Sequence, residues 1–149
     1  MISCVKSRFN DAVVQECSEM GCTLNLYNFD EAVVLKGERI CSTRKMCDCI
    51  IFAEKEGEIV VCVVELKSRA ADAEEVAEKL ANGAEASLEV LRECGGAANP
   101  SLYLIVLAKS WRRPEYRVIT RKSIVIRGRK LKVIPARCGA SLSEIIPGS

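Results

Sequence analysis

Three charged residues stand in two strongly apolar stretches of the sequence. Asp48 lies within KMCDCIIF at positions 45–52, and Glu65 and Lys67 end the run IVVCVVELK at positions 59–67. Charged side chains are seldom buried without a partner or a task, because removing a charge from water is costly. Carboxylates are preferred ligands of hard cations such as Mg²⁺ and Mn²⁺, so these residues indicate metal chemistry.

The two stretches predict a β-hairpin that brings the three charges together. Side chains at i and i+2 of a strand share a face, so Glu65 and Lys67 project together. The intervening AEKEGE at positions 53–58, which contains Gly57, is typical of a hairpin turn. We expect Asp48, Glu65 and the backbone carbonyl of Leu66 to bind the cation. Lys67 would then orient a water or stabilise charge on a phosphate.

These residues resemble the PD-(D/E)xK nuclease superfamily. Its signature is an acidic residue on one strand and Asp/Glu-x-Lys ending the next, matched here by Asp48, sixteen intervening residues and Glu65-Leu66-Lys67. The resemblance covers roughly positions 7–108 and is nearest in layout to small archaeal Holliday junction resolvases. It implies a restriction-endonuclease-like α-β-β-β-α-β core and a metal-dependent deoxyribonuclease. Such relatives add an acid from the first helix, for which the candidates here are Asp11, Glu16 and Glu19, with Asp11 nearest the matching turn.

A structural explanation of the same residues stands beside the catalytic one. Asp48 could pair with Lys67 or Arg44, and Glu65 and Lys67 could be a solvated strand end, since i,i+2 charges on an exposed face are common.

Hydrophobic periodicity predicts an α/β fold around these residues. Helices are expected over Ser7–Met20, capped by Gly21, and over Ala70–Cys94, with an apolar stripe from Val76 to Leu91. Strands are expected at TLNLYNF (23–29), AVVLKG (32–37) and SLYLIVLA (101–108), and the segment Phe29–Arg44 is expected to form an extra strand or hairpin. We predict one domain over 1–149, with a nuclease-like core at about 7–108 and a basic extension at about 109–146.

The basic extension indicates a polyanionic partner. Between Lys109 and Arg137 there are eleven basic residues and one acid, whereas the preceding chain carries eleven basic and eighteen acidic residues. Such an uneven distribution of charge is typical of a protein that neutralises the phosphates of a polyanion. Within it, SIVIRGRKLKVIP (123–135) predicts a hairpin around Arg127-Gly128, and we expect DNA contacts from Arg112, Arg113, Arg127, Arg129, Lys130 and Lys132. The alternative is a solvated basic hairpin with Trp111 packing on the core.

Nine cysteines accompany a complete absence of histidine. With no CxxC pair, zinc-finger spacing is absent, and an iron–sulfur cluster would need four convergent thiolates. Cys47, Cys49 and Cys62 are predicted to act as small buried hydrophobes, with the redox state left open. Disulfides are unusual inside cells except in hyperthermophiles, which keeps a thermophilic archaeal or viral source open.

No apolar run approaches the roughly 18 residues of a membrane helix, and the N-terminus MISCVKSRFND lacks a signal-peptide core. We therefore expect a cytoplasmic protein without membrane contact. We expect a Mg²⁺- or Mn²⁺-dependent nuclease acting on DNA, for which a homodimer would be the simplest way to supply two sites. The alternatives are a catalytically inactive nucleic-acid-binding protein of the same fold and an interaction subunit whose basic face meets an acidic partner. Metal-dependent cleavage separates the nuclease from the inactive binding protein.

Overall fold

The computed structural model of the chain describes residues 1–67, 72–96 and 100–147. Its helices are α1 (Ile2–Arg8), α2 (Gly37–Ile40), α3 (Ala73–Glu93), α4 (Arg113–Arg121) and α5 (Leu142–Ile145). Its strands are β1 (Val13–Val14), β2 (Cys17–Glu19), β3 (Cys22–Leu24), β4 (Glu31–Lys36), β5 (Cys49–Lys55), β6 (Glu58–Lys67), β7 (Ser101–Ala108), β8 (Ser123–Ile126) and β9 (Arg129–Arg137). This confirms the predicted α/β class.

Seven strands form one mixed sheet in the order β1-β4-β5-β6-β7-β9-β8. β4, β5 and β6 are antiparallel neighbours, whereas β6, β7 and β9 run parallel. A parallel step requires a crossover, which α3 supplies between β6 and β7 and which α4 and β8 supply between β7 and β9. The carboxyl ends of β6, β7 and β9 consequently lie at the edge of the sheet where β5 begins.

Both faces of the sheet are covered. Alternation along β6 sends Val61 and Val63 to the face packed by α1 and α3, and Cys62 and Val64 to the opposite face. The opposite face is covered by the β2–β3 hairpin and by Leu142 of α5. β7 is buried along most of its length, as its continuous apolar sequence predicts.

Three hairpins have the same type of turn. Their central residues are Met20-Gly21, Glu56-Gly57 and Arg127-Gly128, and both residues of each turn have positive φ. This is the type I′ pattern, which matches the twist of paired strands and favours glycine in the second position. The turns at positions 56–57 and 127–128 confirm the two predicted hairpins.

The helix predicted over Ser7–Met20 is wrong. The chain forms α1, a 3-10 turn at Asn10–Ala12 and strands β1 and β2 instead. Gly21, taken as a helix cap, is the second residue of the β2–β3 turn. The apolar spacing that suggested a helix is shared between elements, because Val13 pairs with Leu35 in the main sheet while Cys17 lies in the small hairpin.

The long helix is confirmed as α3, although its predicted start at Ala70 lies outside the described residues. Asp72 caps it by accepting hydrogen bonds from the amides of Glu74 and Glu75 at 2.9 and 3.4 Å. All five residues of the predicted stripe are buried, namely Val76, Leu80, Ala84, Leu88 and Leu91. Gly95, with φ of 69°, ends the helix.

Of the segment Phe29–Arg44, β4 is the strand and α2 follows it, so no hairpin forms there. The buried Gly37 at the start of α2 donates its amide to the carbonyl of Asp48 at 3.1 Å. A side chain at Gly37 would collide with the carbonyl oxygen of Cys47. Glycine therefore lets the segment that carries Asp48 pack closely against β4.

Six of the nine cysteines form disulfides: Cys4–Cys94, Cys17–Cys49 and Cys22–Cys138. Cys41, Cys47 and Cys62 are free thiols. Cys47 and Cys62 are buried, as predicted. Cys49 is buried as predicted, and its sulfur bonds to Cys17, which settles for this residue the redox state that the sequence left open. No helix among the described residues is long and apolar enough to span a bilayer.

Candidate functional site

Asp48 and Glu65 meet where β5 begins and β6 ends. The β5–β6 register stops at Cys49 opposite Val64, which leaves Asp48 and Glu65 as the next neighbours along the two strands. The Oδ2 atom of Asp48 accepts a hydrogen bond from the Leu66 amide at 2.7 Å. This bond, from a backbone amide to a side chain, fixes the Asp48 carboxylate beside Glu65 just beyond the last strand pair.

Glu65 is buried, with only 1% of its surface exposed. It shares the face of β6 that α3 covers, where Val61 and Val63 precede it in the core. This excludes the solvated strand end for Glu65. Among the described residues no donor makes a well-directed hydrogen bond to either carboxylate oxygen. A buried carboxylate without directed hydrogen bonds is rare, because such bonds normally offset the cost of its desolvation.

Two ammonium groups lie at ion-pair distance from the Oε2 atom of Glu65. Lys67 Nζ is 3.2 Å away and Lys79 Nζ is 3.3 Å away. Lys67 was predicted for this position from its i+2 spacing. Lys79, on α3, was not predicted, and it also pairs with Glu75 one helical turn earlier at 3.4 Å. The sequence signal that could have indicated Lys79 was its position on α3 three residues after Val76, beside the buried stripe.

The burial of Glu65 changes its ionisation. Burial and the negative charge of Asp48 together raise the pKa of Glu65 to about 7, against the attraction of Lys67 and Lys79. Burial would lower the pKa of Lys79, but its carboxylate partners Glu65 and Glu75 raise it above its usual value. Burial and then the charges of Glu65 and Asp48 raise the pKa of the Cys47 thiol. The carboxylates of the site therefore lie in a desolvated setting in which two ammonium groups oppose their negative charge.

The donor set suits a hard cation but is small. Asp48 and Glu65 supply carboxylate oxygens, and Leu66 adds a carbonyl from the same strand end. Asp11 is exposed and lies in the 3-10 turn before β1. Across the described residues no cluster of three or more His, Cys, Asp or Glu side chains forms a metal site. The orphaned oxygens of Glu65 are the feature that fits a cation.

The predicted DNA-contacting residues divide into two groups. Arg127 pairs with Glu85 and Glu89 of α3, each at 3.1 Å, and Arg129 donates to the carbonyl of Pro100 at 3.0 Å. The remaining four are exposed at the surface: Arg112, Arg113, Lys130 and Lys132. Arg127 and Arg129 thus hold the β8–β9 hairpin against the rest of the fold.

Trp111 anchors the start of the basic region. Its indole Nε1 donates to the carbonyl of Ala136 at 2.7 Å, and its ring packs against the core. The helix α4, which follows it, was not predicted from the sequence. Pro114 near its first turn is the signal that was available.

Comparison with protein-family models, with curated proteins and with solved structures finds no match for this chain.

Proposed function

We propose that this protein is a divalent-metal-dependent nuclease that hydrolyses DNA phosphodiester bonds. The observation that carries the proposal is the Glu65 carboxylate, which is 1% exposed, lacks directed donors among the described residues, and lies beside Asp48 with Lys67 and Lys79 at ion-pair distance. A buried ionisable group with a shifted pKa is a recognised indicator of a functional site.

The topology supports a restriction-endonuclease-like core. Helix α1, the antiparallel strands β4, β5 and β6, the crossover α3 and the parallel strand β7 follow the α-β-β-β-α-β order. The acidic residue precedes the second strand of this meander, and Glu-x-Lys ends the third. The chain departs from this order by the insertion of β1, β2 and β3 between α1 and β4.

Each residue has a role in such a reaction. Asp48, Glu65 and the Leu66 carbonyl would hold Mg²⁺ or Mn²⁺, with Asp11 the candidate for a further ligand. When bound, the cation supplies a water of lowered pKa and neutralises charge on the phosphate. Lys67 lies within reach of the same carboxylate and can orient the water or stabilise the developing negative charge. The positive charge of Lys79 favours the charged form of Glu65 against the desolvation penalty. Cutting two strands requires two sites, which a symmetric homodimer would provide.

Cleavage by two isosteric variants tests the proposal. Asp48→Asn and Glu65→Gln keep the side-chain shape and remove the ligand charge, so cleavage with Mg²⁺ or Mn²⁺ should fall roughly 100-fold or more. Linear, branched and supercoiled DNA are the substrates, and isothermal calorimetry measures Mn²⁺ binding. Glu75→Gln is the matched control, because it removes another carboxylate partner of Lys79 outside the proposed ligand set. Wild-type cleavage rates in both ligand variants would refute the assignment.

A binding protein without turnover is the second candidate. It is favoured by the small ligand set, because within the described chain only two acidic side chains meet and Glu65 has ion-pair partners at Lys67 and Lys79. In that case Asp48 and Glu65 would have only a structural role, at the start of β5 and the end of β6. The wild-type protein would then bind DNA equally well in EDTA and Mn²⁺ and cleave it in neither.

A further inference from the structure

A basic groove lies between α4 and β9, outside the carboxylate site. Its volume is about 690 Å³, and its lining includes Trp111, Tyr116, Arg113, Arg117, Arg121 and Arg137. No acidic side chain of the described residues contributes to the lining. The groove therefore has the electrostatic character of an anion-binding surface.

Within the described residues, the arginines of the groove lack the carboxylate partners that hold Arg127 of the neighbouring hairpin. Arg127 is held by two glutamates, and Lys122 forms an ion pair with Glu74. In the described part of the chain, no carboxylate pairs with Arg113, Arg117, Arg121 or Arg137 in the groove. Arg113, Arg117 and Arg121 recur every four residues along α4, which aligns their guanidinium groups on one side of the helix. Such a row can follow a phosphate backbone.

Two aromatic rings lie among these arginines. Trp111 is fixed by its hydrogen bond to Ala136, and Tyr116 meets it edge to face with the centroids 6.1 Å apart. Tyr116 is 46% exposed, so almost half of its surface is open to solvent. A fixed, exposed ring beside guanidinium groups is the arrangement that stacks unpaired bases in single-strand-binding proteins.

The groove reaches the same sheet edge as the carboxylates. In the parallel ladders, Lys67 is level with Ala108 and Ala108 with Arg137. Neighbouring strands lie about 4.8 Å apart, so the Cα atoms of Lys67 and Arg137 are separated by roughly 10 Å. A strand held in the groove would thus pass close to Glu65.

We propose that the α4–β9 groove binds a single-stranded segment of the DNA substrate, with one base stacked on Tyr116 and its phosphates contacting Arg113, Arg117, Arg121 and Arg137. This inference rests on the proposed function, because it specifies the substrate of the same protein. Stacking distinguishes an unpaired base from one enclosed in a duplex, whose faces are already covered by neighbouring bases. The substrate is therefore DNA with an unpaired stretch near the cleavage point.

Trp111 is the only tryptophan of the chain, so its fluorescence reports on the groove. The experiment titrates wild-type protein with oligo-dT in EDTA, where no cleavage occurs, and repeats it with a blunt duplex of equal length. We expect saturable quenching and tighter binding of the single strand. Tyr116→Ala should weaken binding about tenfold or more, whereas Tyr116→Phe should keep it.

Two charge reversals of equal size locate the phosphate contacts. Arg117→Glu with Arg121→Glu should abolish most of the binding, and reduce the slope of log K against log salt by about 1.4 or more. Lys130→Glu with Lys132→Glu changes the net charge equally but lies on the exposed hairpin, and should have a smaller effect. Circular dichroism verifies that each variant is folded.

Equal affinity for duplex and single strand, together with no effect of Tyr116→Ala, would overturn the inference. A larger loss from the hairpin reversal than from the groove reversal would also overturn it. The result is independent of turnover, because Asp48→Asn should still show the quenching. A protein that binds single strands in EDTA but cleaves nothing in Mn²⁺ would refute the nuclease and leave the groove assignment standing.

Discussion

Replacing Glu65 by glutamine should abolish the pH dependence that this side chain imposes on stability. Burial raises the pKa of Glu65 from 4.5 to about 7, so the folded state binds this proton more tightly than the unfolded state. The stabilising contribution is therefore complete below about pH 4.5 and is lost as the pH rises through about 7. Glutamine resembles the protonated acid and does not titrate.

The magnitude follows from the shift. One pKa unit corresponds to about 1.4 kcal/mol, so the wild-type protein should lose about 3 kcal/mol between pH 4 and pH 8 relative to Glu65→Gln. No reduction for solvent screening is needed, because Glu65 is 1% exposed. The attraction of Lys67 and Lys79 is already contained in the shift.

Urea denaturation at pH 4 to 8 measures this difference, in EDTA to exclude cations and without reductant to keep the disulfides. Subtracting the free energy of unfolding of one protein from that of the other cancels the titration of the groups that both proteins contain. Glu75→Gln is the control, since this half-exposed carboxylate also pairs with Lys79 and its difference should stay within about 1 kcal/mol. A flat Glu65→Gln difference would show that the carboxylate is solvated or that it ionises without penalty.

Two further predictions concern the structure around the site. Gly37→Ala should destabilise the protein by about 1–3 kcal/mol in urea and reduce cleavage, because the new methyl group meets the Cys47 carbonyl and displaces Asp48; a wild-type midpoint would contradict this packing. Denatured protein without reductant should show three thiols out of nine by colorimetric titration, and Cys22→Ala with Cys138→Ala should cost about 2–5 kcal/mol. Nine reactive thiols would contradict the pairing.

Local sequence signals were sufficient to predict the elements that are specified by residues close together in the sequence. The hairpins at Glu56-Gly57 and Arg127-Gly128 are specified by glycine at the position that requires positive φ. Helix α3 was predictable because its apolar stripe, its lack of proline and its terminal Gly95 agree. The convergence of Asp48 and Glu65 follows from one such hairpin, so that part of the site was accessible from the sequence.

The remaining features depend on contacts between distant residues. The prediction of the first helix was wrong because Gly21 suits a hairpin turn as well as a helix end. Strand pairing decides between the two, since β1 pairs with β4 and β2 with β3. Lys79 reaches Glu65 because α3 crosses over β6, a relation that strand periodicity does not contain. The three disulfides join residues 32 to 116 positions apart, which cysteine spacing alone does not specify.

The parallel part of the sheet explains how the acidic and basic regions of the sequence become neighbours. Because β6, β7 and β9 run the same way, Lys67 and Arg137 end at one edge although the crossovers carrying α3 and α4 separate them in sequence. β5 runs the opposite way, so Asp48 enters the sheet at that same edge. An acidic pair that suits a cation therefore lies beside a basic groove that suits phosphates. In the proposed nuclease, the cation would activate a water at the phosphorus and the groove would hold the strand through cationic contacts.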